Sequence, residues 1–142
     1  MDKLPGFHKN SFDLGMIEAF CEIVSQEVKN LALSPILTKK EYAEIKEAAA
    51  EIAEKFHVLS FPEDNFISTD LAADEEIKDK IVILYFKEEK VLEDYFILKN
   101  KIESLKKAGA YNKEAIKEAS VEFRKMLSYS PKVIAETYGE SI

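Results

Sequence analysis

The chain carries one arginine, Arg124, and one cysteine, Cys21. A lone arginine leaves little capacity for the forked, bidentate grip that planar guanidinium groups give to phosphates and carboxylates. A lone cysteine excludes an internal disulfide and any Cys-Cys zinc site. The two histidines, His8 and His57, do not make up the shortfall for a His/Cys zinc centre. Cys21 lies within an apolar helical pattern, so a buried and inert thiol is expected there.

Glycine is also scarce. Gly6, Gly15, Gly109 and Gly139 are too far apart for a dinucleotide fingerprint or a P-loop. No G-x-S-x-G elbow and no H-E-x-x-H pair occurs. The acidic run of Asp74, Glu75, Glu76 and Asp79, with Glu63 and Asp64, lacks EF-hand spacing. Acids at a helix start also suit the helix dipole, and that is how the run reads. No cofactor and no metal site are expected.

Long apolar runs are missing near either end, where spanning a bilayer takes ~20 residues. MDKLPGFHKNSFDLG has no signal-peptide core. A soluble, cytoplasmic protein with no membrane partner is the expectation. The net charge of −7 argues against nucleic-acid binding, which needs Lys and Arg to neutralise phosphates. Lysine in place of arginine, with Gln26 the only glutamine, leans towards a thermophilic source.

What is present suffices for a core: 46% of the 142 residues are hydrophobic. The pattern predicts one domain over 1–142, an α/β core over 1–86 with a helical part over 87–142 packed on it. Ile17, Phe20, Cys21, Val24 and Val28 share one face of a helix from about Leu14 to Val28, capped by Asp13. LALS (31–34) reads as a strand stopped by Pro35. Thr38 and Glu41 form a T-x-x-E capping box, with Leu37 and Tyr42 as its hydrophobic staple, and the helix behind it runs to Phe56. A short helix is expected in DLAADEEIKDK.

IVILYF (81–86) is apolar at every position, which predicts a central strand covered on both faces. A long helix follows over about 88–107. Asn112 caps another, and Ser130-Pro131 opens a last short one. The fold class is therefore α/β or α+β. A small mixed sheet of about four strands (31–34, 57–61, 66–70, 81–86) is flanked by helices, with 31–34 and 57–61 parallel and joined by a right-handed crossover.

Three stretches could carry chemistry. FHVLSFPEDNFISTDL (56–71) predicts a hairpin, because Pro62 cannot donate to a ladder and Pro62 to Asn65 makes a corner. That register places Phe61 opposite Phe66, Leu59 opposite Ser68, and His57 opposite Asp70. Opposed side chains sit ~5 Å apart, so His57 and Asp70 are acid/base candidates, or else a structural cross-strand pair. At SPILTKK, a strand end meets a helix start, where Ser34, Thr38, Lys39 and Lys40 are candidates for holding a small anion. The plain alternative is that Thr38 caps its helix and the lysines are solvated.

Finally, Tyr95, Phe96, Ile97 and Leu98 point in directions spanning most of the way round the long helix. That helix is either sandwiched within the fold or meets a second copy of the chain. The leading expectation is a non-enzymatic interaction or regulatory domain, homodimeric through its C-terminal helices. The other is a small enzyme or a binder of a small anion or metabolite.

Overall fold

The computed structural model describes residues 8–140. Six helices and four strands occur among them: α1 (Lys9–Ser25), β1 (Leu31–Leu33), β2 (Leu37–Thr38), α2 (Lys39–Lys55), β3 (Leu59–Glu63), α3 (Asp74–Ile77), β4 (Lys80–Phe86), α4 (Glu89–Lys107), α5 (Lys113–Met126) and α6 (Pro131–Thr137). The fold class is as expected: a small sheet flanked by helices, followed by helices alone.

β4 is the central strand, and both of its faces are covered. Alternation sends Ile83 and Tyr85 to one side, where they meet Ile17 and Cys21 of α1 and Ile45 and Ala49 of α2. Val82, Leu84 and Phe86 go to the other, against Tyr95, Leu98 and Ile102 of α4 and Phe123 of α5. The unbroken apolar run thus becomes the middle layer of three.

The sheet is antiparallel throughout, not mixed. β1 and β3 both pair with β4, Leu31 and Leu59 each opposite Phe86, so they run the same way with β4 between them. β2 continues β1 along the same edge of β4, with Leu37 opposite Ile81. Pro35 interrupts the edge between them. Ser34 repairs the gap: its N–H donates to the Ile83 carbonyl (2.9 Å), and its Oγ accepts from the Ile83 N–H (2.8 Å). The serine hydroxyl thus supplies an acceptor where the strand departs from its ladder.

The predicted hairpin does not form. β3 runs straight through Pro62 to Glu63 and pairs with β4, Pro62 opposite Ile83. Both backbone polar groups of Ile83 are turned to Ser34, so Pro62 meets a position that asks for no N–H. A proline costs nothing there, on an edge strand. Residues 66–70 are not a strand; their single ladder contact is a bridge between Thr69 and Ala72.

Helix ends follow their local chemistry. Thr38 Oγ1 accepts from the Glu41 N–H (3.0 Å), and Glu41 Oε1 accepts from the Thr38 N–H (2.8 Å), completing the capping box. That backbone bond holds the Glu41 carboxyl below its usual range, aided by Lys9. Asn112 and Ser130 cap α5 and α6 as expected. Asp13 does not cap α1. The helix begins at Lys9, and Asp13 is buried within it, accepting from Lys9 Nζ at 2.6 Å.

Tyr95 and Leu98 are buried in the core, and Phe96 packs edge-on against Phe61 with ring centroids 5.4 Å apart. Of the four apolar residues in a row on α4, Ile97 alone is turned outward, 67% exposed. The helix thus turns Tyr95, Phe96 and Leu98 towards the fold and Ile97 away from it.

Ser34→Ala is expected to cost ~1–3 kcal/mol, because it strands the buried Ile83 N–H. Thr38→Ala should cost about 1 kcal/mol. An unchanged urea midpoint for Ser34→Ala would refute the repair role. Stability should also fall in alkali. Burial pushes the Cys21 thiol up to about 12, Glu18 adding to it, and raises the Tyr85 and Tyr95 hydroxyls. In the unfolded chain these groups ionise near about 8.5 and 10. The folded state therefore holds more protons, and its stability is full below about pH 8.5 and lost as pH rises. Each group contributes about 1.4 kcal/mol per pH unit while only its unfolded form is ionised. Urea midpoints measured from pH 8 to 11 should drop accordingly, and less steeply in Tyr85→Phe.

Candidate functional site

Between β3 and α3 the chain lies across α4 and α5 without pairing as a strand. Side chains of α4, α5 and the turn between them hold it in place at four points. Glu63, 3% exposed at the end of β3, is the first anchor. Its carboxylate accepts from the Tyr95 hydroxyl (2.9 Å), Lys99 Nζ (2.8 Å) and the Asn65 N–H (3.1 Å). The Tyr95 oxygen in turn accepts from the Ile67 N–H (3.3 Å). A buried carboxylate is tolerable only with such a set of donors and a counter-charge. Burial and the neighbouring Glu63 together push the Tyr95 hydroxyl well up.

Three further anchors follow. Tyr111 donates to the Ser68 carbonyl (2.6 Å), and Ser120 Oγ accepts from the Asp70 N–H (3.0 Å). Arg124 Nη1 donates to Asp70 Oδ1 and to the Tyr138 hydroxyl, each at 2.5 Å, while Tyr138 donates to Asp70 Oδ2 (2.6 Å). The sole arginine is therefore consumed inside the molecule, tying the segment and α6 to α5. Burial and the bond to Asp70 push the Tyr138 hydroxyl up to about 12.

The anchored segment leaves two adjoining cavities against the C-terminal half of α4. One, of about 410 Å³, is walled by Phe66, Ile67, Ile77 and Ile102, with Lys99 at one end. The other, of about 530 Å³, reaches towards Gly109, Tyr111, Asn112 and Ile116. Both are in the size range of small-molecule pockets. Ser68, Asp74, Glu75 and Lys106 line both. Lys106 reaches Asp74 Oδ1 at 3.3 Å, an exposed ion pair at the junction.

Ser68 is the distinctive residue there. It is 7% exposed, its carbonyl is taken by Tyr111, and its hydroxyl has no hydrogen-bond partner among the described residues. The hydroxyl is nevertheless not sealed off: among the described residues the Tyr85 oxygen is the one side-chain polar atom both wholly buried and unpartnered. A buried serine whose hydroxyl spends nothing on its own fold, in the wall of two cavities, is free to bond a guest.

The sequence-predicted residues fare differently. His57 and Asp70 are not brought together, because no strand at 66–70 runs beside β3. His57 ends α2 in the left-handed region (φ 56°), a conformation histidine accepts more readily than most residues, and it is exposed. Asp70 belongs to Arg124 and Tyr138. Ser34 and Thr38 spend their hydroxyls on the sheet edge and the helix cap, and Ser34 Oγ also donates to the Pro35 carbonyl (2.8 Å). Lys39 and Lys40 are exposed, and Glu41 already supplies the carboxylate at that helix start. An antiparallel sheet also has no common strand end at which to gather a ligand.

Sequence reasoning missed Glu63, Ser68, Lys99 and Arg124. Arg124 had a readable signal, since it follows Ile116 and Ser120 at four-residue steps beside the buried Phe123. Glu63 and Ser68 had none, because both were assigned to a hairpin that does not exist.

Among the described residues no three His, Cys, Asp or Glu side chains gather as a metal-binding group, and no helix is long and apolar enough to cross a membrane. Protein-family models, curated proteins and solved structures give no match to this chain. Any functional reading therefore rests on these side chains. Lys99→Met should cost about 3–5 kcal/mol by leaving Glu63 charged, buried and unpaired. The double variant Glu63→Gln with Lys99→Met should recover part of that loss, since an amide still accepts from Tyr95. Denaturant midpoints of Lys99→Met, Glu63→Gln and the double variant check this, and a double variant as unstable as the sum of the singles would count against the pair.

Proposed function

We propose that the protein is a non-enzymatic binding domain that takes up a small molecule in the groove between residues 64–79 and α4. The observation that carries this is the partnerless, nearly buried Ser68 hydroxyl in the shared wall of two cavities. Apolar walls with a few convergent polar groups are the usual make-up of such sites.

The enzyme reading loses its support. An acid/base pair needs its members within hydrogen-bond reach of each other or of one substrate. Here the Asp70 carboxylate is engaged on both oxygens and His57 stands alone in solvent. Self-association through α4 keeps only Ile97, beside Met126, as an outward apolar contact. A stable dimer needs far more area than that pair provides.

The test is an amide NMR spectrum recorded against mixtures of small aliphatic and aromatic fragments. Saturable shifts should concentrate at Ser68, Ile102, Lys106 and Tyr111. They should vanish in Glu75→Trp, which fills the mouth of both cavities from an exposed position. Shifts that cluster at Ile97, or survive Glu75→Trp unchanged, would overturn the proposal.

A further inference from the structure

The charges around the first cavity specify what kind of guest it takes, an inference that rests on the groove being the binding site. Two of its three lysines are already neutralised. Lys99 is held by Glu63 at 2.8 Å, and Lys106 by Asp74 at 3.3 Å. Lys78 remains. Against it stand Asp64, Glu75, Asp79 and Glu103, none of which has a lysine or arginine partner within ion-pair distance among the described residues. Glu103 accepts only the Asn65 amide, at 3.4 Å. The cavity therefore presents a surplus of negative charge over an apolar floor of Phe66, Ile67, Ile77 and Ile102. The whole chain, at −7, adds a field of the same sign.

We infer that the guest is a primary amine carried on a short hydrocarbon body. The ammonium group offers three donors and no acceptor, and carboxylates and a serine hydroxyl accept. Ser68 Oγ supplies the acceptor at the inner wall, and Glu75 and Glu103 supply counter-charge at the rim. The hydrocarbon lies on Phe66 and Ile102, which is how an amphipathic group buries its stem and keeps its charge near water. A bare divalent cation is a poor alternative, since these carboxylates do not gather in threes.

Hexylamine, hexanol and hexanoate separate the possibilities, because they share a chain and differ in the head. Each is titrated into the protein at pH 7 and followed by amide NMR. Hexylamine should bind saturably at the groove, at least about tenfold more tightly than hexanoate, as one well-placed charge contact is worth more than 1.4 kcal/mol when partly desolvated. Its affinity should fall in Ser68→Ala, in the pair Glu75→Gln with Glu103→Gln, and with added salt. If hexanol or hexanoate binds the groove as tightly as hexylamine, the amine assignment is wrong while the groove stands. If none of the three moves groove resonances, and the fragment mixtures move none either, the groove itself fails and takes the amine with it.

Discussion

A strand that is apolar at Ile81, Val82, Ile83, Leu84, Tyr85 and Phe86 cannot leave either face in water. At roughly 25 cal/mol per Å², one exposed face would forfeit several kcal/mol, a large share of the stability of a chain this size. That single constraint organises the molecule. α1 and α2 close over Ile83 and Tyr85, and α4 and α5 close over Val82, Leu84 and Phe86. With both faces spoken for, the neighbours of β4 need only supply edges, and both edges are irregular. One is broken at Pro35 and mended by Ser34. The other contains Pro62, which also blunts it against pairing with a further chain.

The second edge determines where a site can arise. Because β3 stops at Glu63, the chain must travel from the sheet edge to the start of α3 without a ladder to satisfy its backbone. An unpaired backbone under a helix layer is costly, so side chains take the place of the missing strand. Tyr95 takes the Ile67 N–H, Tyr111 the Ser68 carbonyl, and Ser120 the Asp70 N–H. Glu63 and Lys99 supply the charge pair that keeps Tyr95 in place. These props come from α4, the turn after it and α5, so they hold the segment at intervals and do not press it flat. The gaps between them are the two cavities, and Ser68 sits in the gap with its hydroxyl unspent.

Much of the frame was legible in the sequence. Helical spacing and the caps at Thr38, Asn112 and Ser130 placed four helices closely, because such signals lie within a few residues of each other. IVILYF announced a doubly covered strand by composition alone. The failures share a different cause: each turned on a contact distant in sequence. Pro62 forbids a strand only where its partner demands an N–H, and whether Ile83 demands one depends on Ser34, far upstream. Ser34 and Thr38 looked available for a ligand, and both are occupied by backbone groups. Asp70 could be offered to His57 only while Arg124, on another helix, was out of view. Asp13 read as a cap until Lys9 claimed it.

The same reasoning explains why the groove was invisible to motif search. Its apolar floor comes from a coil segment, the end of α3 and one face of α4, and its polar groups are an ordinary serine and acids at unremarkable spacing. No residue type there is rare, and none would stand out alone. What sets them apart is accounting for partners: Lys99 and Lys106 are paired, Asp70 is paired on both oxygens, and Ser68 is not. In a fold where nearly every buried polar atom has been given a partner, the exceptions carry the information. One, the Tyr85 hydroxyl, is wholly buried without a hydrogen-bond partner, and the cavity that Tyr85 lines is only about 60 Å³. The other belongs to Ser68, in the wall of two cavities of about 410 and 530 Å³, and that difference in room, not in chemistry, separates a packing compromise from a candidate site.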